Sequence, residues 1–425
     1  MFKENMNNKV FTKFSGVESD LKLQDIPKFN RYSNDVKRDI GIITMMLMAF
    51  AVLCLRGYYV HFNPKTGRPL GGYTLNMFVK ALAAAVEGII VVWGILRIDI
   101  RIRKEEKIPR KEMKRQRTKY IEGISKQIIS YREAVLGWMS EKFVPAENLI
   151  ARIMRGEKKI RNQGDVMLTY RLGTGDLDIS EHIILPNMVN TPQNIKLKRT
   201  YKKLKEEYGI IHEIPKAISL DEVGLLGVVG QGDKRKAYDI VRALSTQILV
   251  SEVPEDLKVA FVYDSVNSKG WNKYESFTRT QMETGISLVA GTPEKREKVL
   301  DMLAQAIEER KALNGDSVEN MKPRYIVFVD DMALLENHRI VEALCDDLCA
   351  CAFTFIFVAD CIEKLPENVE YALVDSLEFS GVYSMTDHTC MPMVFDKLSE
   401  QKLDKYINYI KSKKTLRRGD LCWKK

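Results

Sequence analysis

Short apolar runs alternate with amphipathic helical stretches from about residue 211 onward. Strand-like runs occupy residues 224–230, 258–264, 286–291, 324–330, 353–360 and 371–376. Stretches with helical spacing occupy residues 234–250, 293–313, 333–349 and 397–413. Because the apolar runs lack the polar alternation of a half-exposed strand, they indicate a sheet that is buried on both faces. The pattern therefore predicts an α/β domain over residues 211–425, with a parallel sheet covered by helices.

A different pattern precedes this domain. Residues 111–160 carry apolar positions at helical spacing, and no proline interrupts residues 111–144. Residues 166–179 have strand-like composition punctuated by Gly and Asp, and a charged helix is predicted over residues 197–208. Residues 98–210 are therefore predicted to form a basic helical stem and a small mixed α/β region.

Two apolar stretches lie nearer the N-terminus, after a polar tail at residues 1–39. The first, IGIITMMLMAFAVLCL from Ile40 to Leu55, contains no charged residue. The second, TLNMFVKALAAAVEGIIVVWGILR, contains Lys80 and Glu87. Together they predict a two-span transmembrane hairpin over residues 40–97.

The charge distribution orients this hairpin. Residues 101–119 hold ten Lys/Arg and three Glu, whereas the loop at residues 56–74 holds only three basic residues. The positive-inside rule then places the hairpin in the plasma membrane with both termini in the cytoplasm. The stem is expected to attract anionic lipids, and because topology accounts for much of the net charge of +9, DNA is a disfavoured partner. The seven cysteines form no CxxC pair, so no metal site is predicted.

The stretch GLLGVVGQGDKRKAY, residues 224–238, has the strand–glycine–helix order of a phosphate-binding P-loop. Candidate nucleotide-binding positions are Gly227, Gly230, Gly232 and Lys234. With Gly227 and Gly232 as the motif glycines, however, Asp233 occupies the lysine position and Lys234 the Ser/Thr position. An aspartate ~4 Å from a phosphate oxygen costs roughly 4 kcal/mol at an effective dielectric constant near 20.

The glycine loop carries a structural expectation of its own. Lys234 and Lys236 are predicted to point away from the loop. The backbone is expected to keep the shape of a phosphate cradle, so that Asp233→Lys with Lys234→Thr would restore nucleotide binding.

The run YIVFVDD, residues 325–331, supplies the second half of a nucleotide site. In a Walker B arrangement, Asp330 would hold magnesium and Asp331 would orient water. Alternatively, the two carboxylates cap the helix that follows. With the glycine loop altered, no catalytic residue is assigned, and ATP with magnesium is not a firm cofactor.

The ordered motifs resemble those of a known family. After the two spans and the basic stem come RLGTGD (171–176), LGVVG (226–230), VPEDLKVAFVYD (253–264), YIVFVDDMALL (325–335) and FVADCIEKLP (357–366). Over roughly residues 35–415 this set is similar to the membrane-proximal part of the type VII secretion ATPases of the EssC/EccC group, which belong to the FtsK/SpoIIIE class. The resemblance implies a degenerate first ATPase domain, in which the following residues are fold positions rather than catalysts: Arg171, Gly173, Gly175, Gly227, Gly230, Asp330 and Asp331.

The resemblance also implies a function. The expected role is a membrane-anchored scaffold or coupling subunit of a type VII secretion machinery, in contact with other subunits, with a separately supplied motor ATPase and with copies of itself. The family's downstream motor domains do not follow Lys425, which implies a truncated form, a split-gene product or an adaptor. Two alternatives stay open at this stage: an active FtsK/SpoIIIE-type translocase, and a sensor that binds nucleotide without turnover.

Overall fold

The computed structural model describes residues 20–23, 44–48, 50–51, 75–157, 168–186, 192–251, 256–266, 270–312 and 321–422. The helices used below are α1 (Leu75–Lys142), α2 (Ala146–Met154), α3 (Pro192–Tyr208), α4 (Lys234–Val250), α5 (Pro293–Ala312), α6 (Ile340–Ala343) and α7 (Glu400–Cys422). The strands are β1 (Leu21–Lys22), β2 (Thr169–Asp178), β3 (Ile183–Ile184), β4 (Ile210–Ser219), β5 (Leu225–Gly230), β6 (Leu257–Val262), β7 (Val289–Ala290), β8 (Arg324–Val329), β9 (Phe353–Ala359), β10 (Tyr371–Asp375), β11 (Ser380–Ser384) and β12 (Cys390–Phe395).

Ten of these strands form one mixed sheet in the order β4-β2-β12-β11-β10-β5-β9-β8-β6-β7. The strands from β10 to β7 run parallel, as predicted. From β10 to β4 the pairings are antiparallel. The prediction of a parallel sheet is therefore wrong at this end, because short connections after β10 and after β11 reverse the chain, and β2 pairs antiparallel with both β12 and β4.

The parallel part of the sheet is buried on both faces. Along β5, Leu226 and Val228 face a core built with α2, α4 and α7, whereas Leu225 and Val229 face a second core built with α5 and α6. All six residues of β5 are buried. Burying a side chain of this size contributes about 1.5–3 kcal/mol, so β5 is held firmly at the centre of the sheet.

The chain divides into two compact units. One comprises residues 1–22, 128–185 and 189–425, and the other comprises residues 23–127 and 186–188. The predicted boundary at residue 210 falls inside the first unit, where β2 and β4 pair with each other. The predicted stem helix over 111–160 is two helices, α1 and α2, because the chain leaves α1 at Phe143 and Pro145 stands at the N-cap of α2.

The two predicted membrane spans fall differently on the structure. The first lies largely outside the described residues, and the second lies on α1, which continues without interruption to Lys142. Within the described ranges, no helix is both long enough and apolar enough to cross a membrane.

Candidate functional site

The candidate site lies at the carboxyl edge of the parallel strands, where β5 passes through a glycine turn into α4. The backbone N–H of Asp233 donates to Gly230 O at 2.9 Å, which closes a tight turn. Gly232 has φ +74°, a conformation that glycine adopts at little cost. The Asp233 side chain caps α4 by accepting from the Arg235 N–H at 3.0 Å.

The amide groups of this turn are occupied within the protein. Gln231 N donates to Asp375 O and Gly232 N donates to Asp360 O, each at 3.2 Å. In a P-loop, such amides point at phosphate oxygens. The expectation of a preserved phosphate cradle is therefore wrong, because the N–H groups of Gln231 and Gly232 already donate to carbonyl oxygens at the ends of neighbouring strands.

Gly230 shows how closely the strand end and the start of α4 approach. A Cβ atom placed on Gly230 would overlap Asp233 O and lie 2.8 Å from Ala237 N. Both of these atoms belong to the backbone, so they cannot move aside as a flexible side chain would. Only glycine at position 230 therefore allows the end of β5 to pack this closely against the first turn of α4.

Lys234 lies against the two carboxylates that follow β8. Its Nζ is 3.2 Å from Asp330 Oδ1 and 3.8 Å from Asp331 Oδ2. Lys234 is predicted only to point away from the glycine loop, and the structure turns its side chain towards these two carboxylates. Asp330 is 3% exposed and also accepts a 2.7 Å hydrogen bond from the Tyr238 hydroxyl. Lys234 and Tyr238 thus both contact the same carboxylate oxygen, Oδ1, of Asp330.

Asp331 has a different environment from its neighbour. Its side chain is 46% exposed and accepts from the Ala333 N–H at 3.0 Å, so it caps the short 3-10 helix Met332–Leu335. The capping interpretation of this carboxylate therefore has a geometric basis. Gly227 lies apart from the site in the middle of β5, where an added Cβ would overlap the Leu365 side chain.

Two further aspartate–lysine pairs follow the ends of neighbouring strands. Lys364 Nζ is 2.8 Å from Asp360 Oδ2, and Lys397 Nζ is 2.6 Å from Asp375 Oδ2. The hydrogen bond from Lys364 lowers the pKa of Asp360, as the hydrogen bond from Arg235 lowers the pKa of Asp233. The strand-end carboxylates are thus paired with basic side chains of the same chain.

Sequence reasoning missed Tyr238 and these two pairs. The runs FTFIFVAD and YALVDS each bring an aspartate to the end of a strand, and the carboxyl ends of parallel strands meet at one edge. That signal would have predicted Asp360 and Asp375 near Asp330. No comparable signal identifies their lysine partners, because Lys364 and Lys397 lie in connections whose path the hydrophobic pattern does not determine.

Comparison with known proteins places this site in context. No protein-family model matches the chain. The type VII secretion system protein EssC of Staphylococcus aureus strain MSSA476 is 24% identical over 316 residues, which cover 71% of this chain and 20% of the relative. EssC of strain NCTC 8325 is 23% identical over 325 residues, with the same coverage.

The chain is a distant homologue of EssC. The homology extends over 71% of its length, whereas the chain spans only a fifth of the length of these EssC proteins. Among solved structures, EssC (ATPases 2 and 3) from Geobacillus thermodenitrificans is similar at 12% identity and a TM-score of 0.40, covering 61% of this chain and 52% of that one. Thermomonospora curvata EccC (ATPases 2 and 3), in complex with a signal sequence peptide, is similar at 12% identity and a TM-score of 0.33, covering 44% and 39%.

Proposed function

We propose that this chain is a membrane-attached component of a type VII secretion machinery and acts as a scaffold or coupling subunit through an ATPase-like domain that does not hydrolyse ATP. It corresponds, in this proposal, to the membrane-proximal part and first ATPase domain of EssC. Its partners are other secretion subunits, a motor ATPase supplied separately, and further copies of itself.

The position of Lys234 carries the proposal. At 3.2 Å and an effective dielectric constant near 20, its attraction to Asp330 is about 5 kcal/mol before desolvation. A magnesium ion would have to displace this cation from a buried carboxylate. The nucleotide would also have to open the turn, whose amides at Gln231 and Gly232 already donate to strand-end carbonyls. Both requirements oppose ATP binding, although the strand–turn–helix framework remains.

Attachment to the membrane is supported by the sequence. Residues 40–55 contain no charged side chain, and the basic run 101–119 follows the second apolar stretch. Anionic lipids attract such juxtamembrane basic segments by about 1 kcal/mol per Lys or Arg near the surface. We therefore propose a plasma-membrane location, with the sheet domain on the cytoplasmic side.

An experiment in cells separates a scaffold from a motor. In a host that exports a type VII substrate, we expect deletion of this chain to stop export. Asp331→Ala is expected to support export at the native level, because this half-exposed carboxylate caps a short 3-10 helix and makes only a long 3.8 Å contact with Lys234. Immunoblotting of the chain controls for its abundance. Loss of export in Asp331→Ala at normal abundance would contradict the proposal and favour an active translocase.

A sensor that binds nucleotide without turnover is tested separately. We expect no Mg²⁺-dependent binding of a fluorescent ATP analogue to the purified full chain. Binding without hydrolysis would replace the scaffold proposal with the sensor.

A further inference from the structure

Helix α3 has a buried face and an exposed face of contrasting chemistry. Leu197 and Tyr201, one helical turn apart, are each 3% exposed. The opposite face is exposed and carries Lys198, Arg199 and Lys202. Because residues three and four apart lie on one side of a helix, these side chains form a single surface, to which Lys203 adds a fourth exposed cation. We call this surface the α3 basic face.

The charge of α3 is strongly one-sided. The helix contains six Lys/Arg and two Glu, which gives a net charge of +4. Lys202 Nζ lies 3.8 Å from Glu206, one turn further along, and the Lys202 side chain is nevertheless 78% exposed. An exposed pair of this kind contributes little to stability, so the face keeps most of its positive potential.

An apolar residue lies on the same face. Ile195 is 44% exposed and precedes Lys198 and Arg199 by three and four residues, which places it beside them. A helix with cations around an exposed aliphatic side chain is typical of a surface that lies in the headgroup region of a bilayer. There the cations contact lipid phosphates while the aliphatic group leaves water.

We propose that the α3 basic face docks onto an anionic lipid surface. This inference rests on the proposed membrane attachment and adds a second contact, distinct from the basic run at residues 101–119. Docking would fix how the sheet domain is held at the membrane, because α3 packs against β4 and the turn Ser180–His182 of that domain.

The chemistry of the face favours lipid over nucleic acid or an acidic protein. Three of the four cations are lysines, which act as mobile point charges, whereas arginine is preferred where a fixed phosphate or carboxylate is bound at two points. Lysine stems also allow the ammonium groups to reach headgroup phosphates while Ile195 enters the interface. A duplex or an acidic polypeptide would provide no apolar layer for Ile195.

Lysine footprinting of the full chain tests the proposal without any substitution. The chain is reconstituted into vesicles of phosphatidylglycerol or of phosphatidylcholine and is treated with a membrane-impermeant acetylating reagent, followed by mass spectrometry. In phosphatidylglycerol we expect Lys198, Lys202 and Lys203 to react about tenfold more slowly than in phosphatidylcholine, and high salt should abolish the difference. Exposed Lys298 and Lys405 serve as references in the same copies.

Charge variants sharpen the test. Lys202→Gln with Lys203→Gln is expected to weaken docking by about 30-fold and to remove most of the protection of Lys198. The matched control is Lys298→Gln with Lys405→Gln, which removes the same charge and is expected to leave protection unchanged. The proposal would be overturned if the α3 lysines reacted equally fast in both lipids, or if Lys298 were slowed as much as they are. It would also be overturned if polyglutamate or duplex DNA protected the α3 lysines and phosphatidylglycerol did not.

Resistance to alkaline carbonate extraction reports membrane anchoring independently. A chain that carbonate extracts, but whose α3 lysines are protected in phosphatidylglycerol, would contradict the anchoring and support the docking. A chain that resists extraction but shows no protection of its α3 lysines would support the anchoring and contradict the docking.

Discussion

At the scale of single residues, the two positions after the glycine turn determine what this site can do. Asp233 caps α4 by accepting from the Arg235 N–H. Lys234, the next residue, pairs with Asp330 and Asp331. Positive charge therefore lies beside the two carboxylates that follow β8. The result is a site that neutralises its own carboxylates.

Replacement of Lys234 by Met should destabilise the folded protein, because it removes the cation that pairs with the Asp330 carboxylate. Asp330 would remain buried without the cation that faces its Oδ1 atom, so we expect a loss of about 3 kcal/mol in the free energy of unfolding. Lys236→Met, on the same helical turn, is the matched control and should cost much less. Denaturant unfolding measures both.

A double-mutant cycle isolates the Lys234–Asp330 pair. Adding Asp330→Asn to Lys234→Met should recover part of the lost stability, because the buried charge is then absent. Equal losses for Lys234→Met and Lys236→Met, or additive effects in the cycle, would show that the pair is not coupled.

At the scale of elements, the closed turn between β5 and α4 prevents repair by side chains alone. Gln231 N, Gly232 N and Asp233 N all donate to backbone carbonyls. We therefore expect Asp233→Lys with Lys234→Thr to bind nucleotide no better than the native chain. Isothermal titration with ATP and Mg²⁺ measures this, with circular dichroism as the control for folding. A clear gain in Mg²⁺-dependent affinity would show that the turn opens readily.

The junction of β2 and β12 gives a second test at this scale. A Cβ on Gly173 would overlap the backbone at Val394 O, so Gly173→Ala should separate the two strands and destabilise the sheet. Gly137→Ala is the matched control, because it lies in α1 with open space around it and should stabilise the helix by up to about 1 kcal/mol. Thermal unfolding should therefore shift in opposite directions for the two variants.

The hydrophobic pattern predicted some elements better than others. Helix α4 was predicted over residues 234–250 and has those bounds, because its apolar stripe and its capping residue agree. The helix predicted over 333–349 is a 3-10 turn followed by the four-residue α6, since Asn337 adopts φ +67° and interrupts it. Strands β11 and β12 were missed, because they are short and contain Gly381 and Pro392, which weaken a strand signal. Side-chain pairing across the site, as in Lys234 with Asp330, depends on distances that no linear pattern contains.

At the scale of the whole molecule, buried tyrosines predict the alkaline limit of stability. Tyr274 accepts a 2.9 Å hydrogen bond from Ser245 and stacks on Phe261 with 4.3 Å between ring centroids. Burial raises the pKa of Tyr274 to about 12. Its unfolded value is lower, near 10, so its contribution is fully present below pH ~10 and is lost as the pH rises towards 12.

This dependence can be measured directly. The free energy of unfolding should fall over that interval, and the fall should be smaller in Tyr274→Phe. Denaturant unfolding at several alkaline pH values gives both slopes, and ultraviolet difference spectroscopy follows tyrosine ionisation. An identical slope in the variant would assign the loss to other groups.

The whole molecule is proposed to be a secretion component that keeps the framework of an ATPase without its turnover. The most direct measurement is phosphate release from ATP by the purified full chain in the presence of Mg²⁺, with Asp331→Ala as the matched variant. The native chain and the variant should both release phosphate at the rate of protein-free buffer. Turnover by the native chain that disappears in Asp331→Ala would contradict this account and show that the site is a working ATPase of unusual sequence.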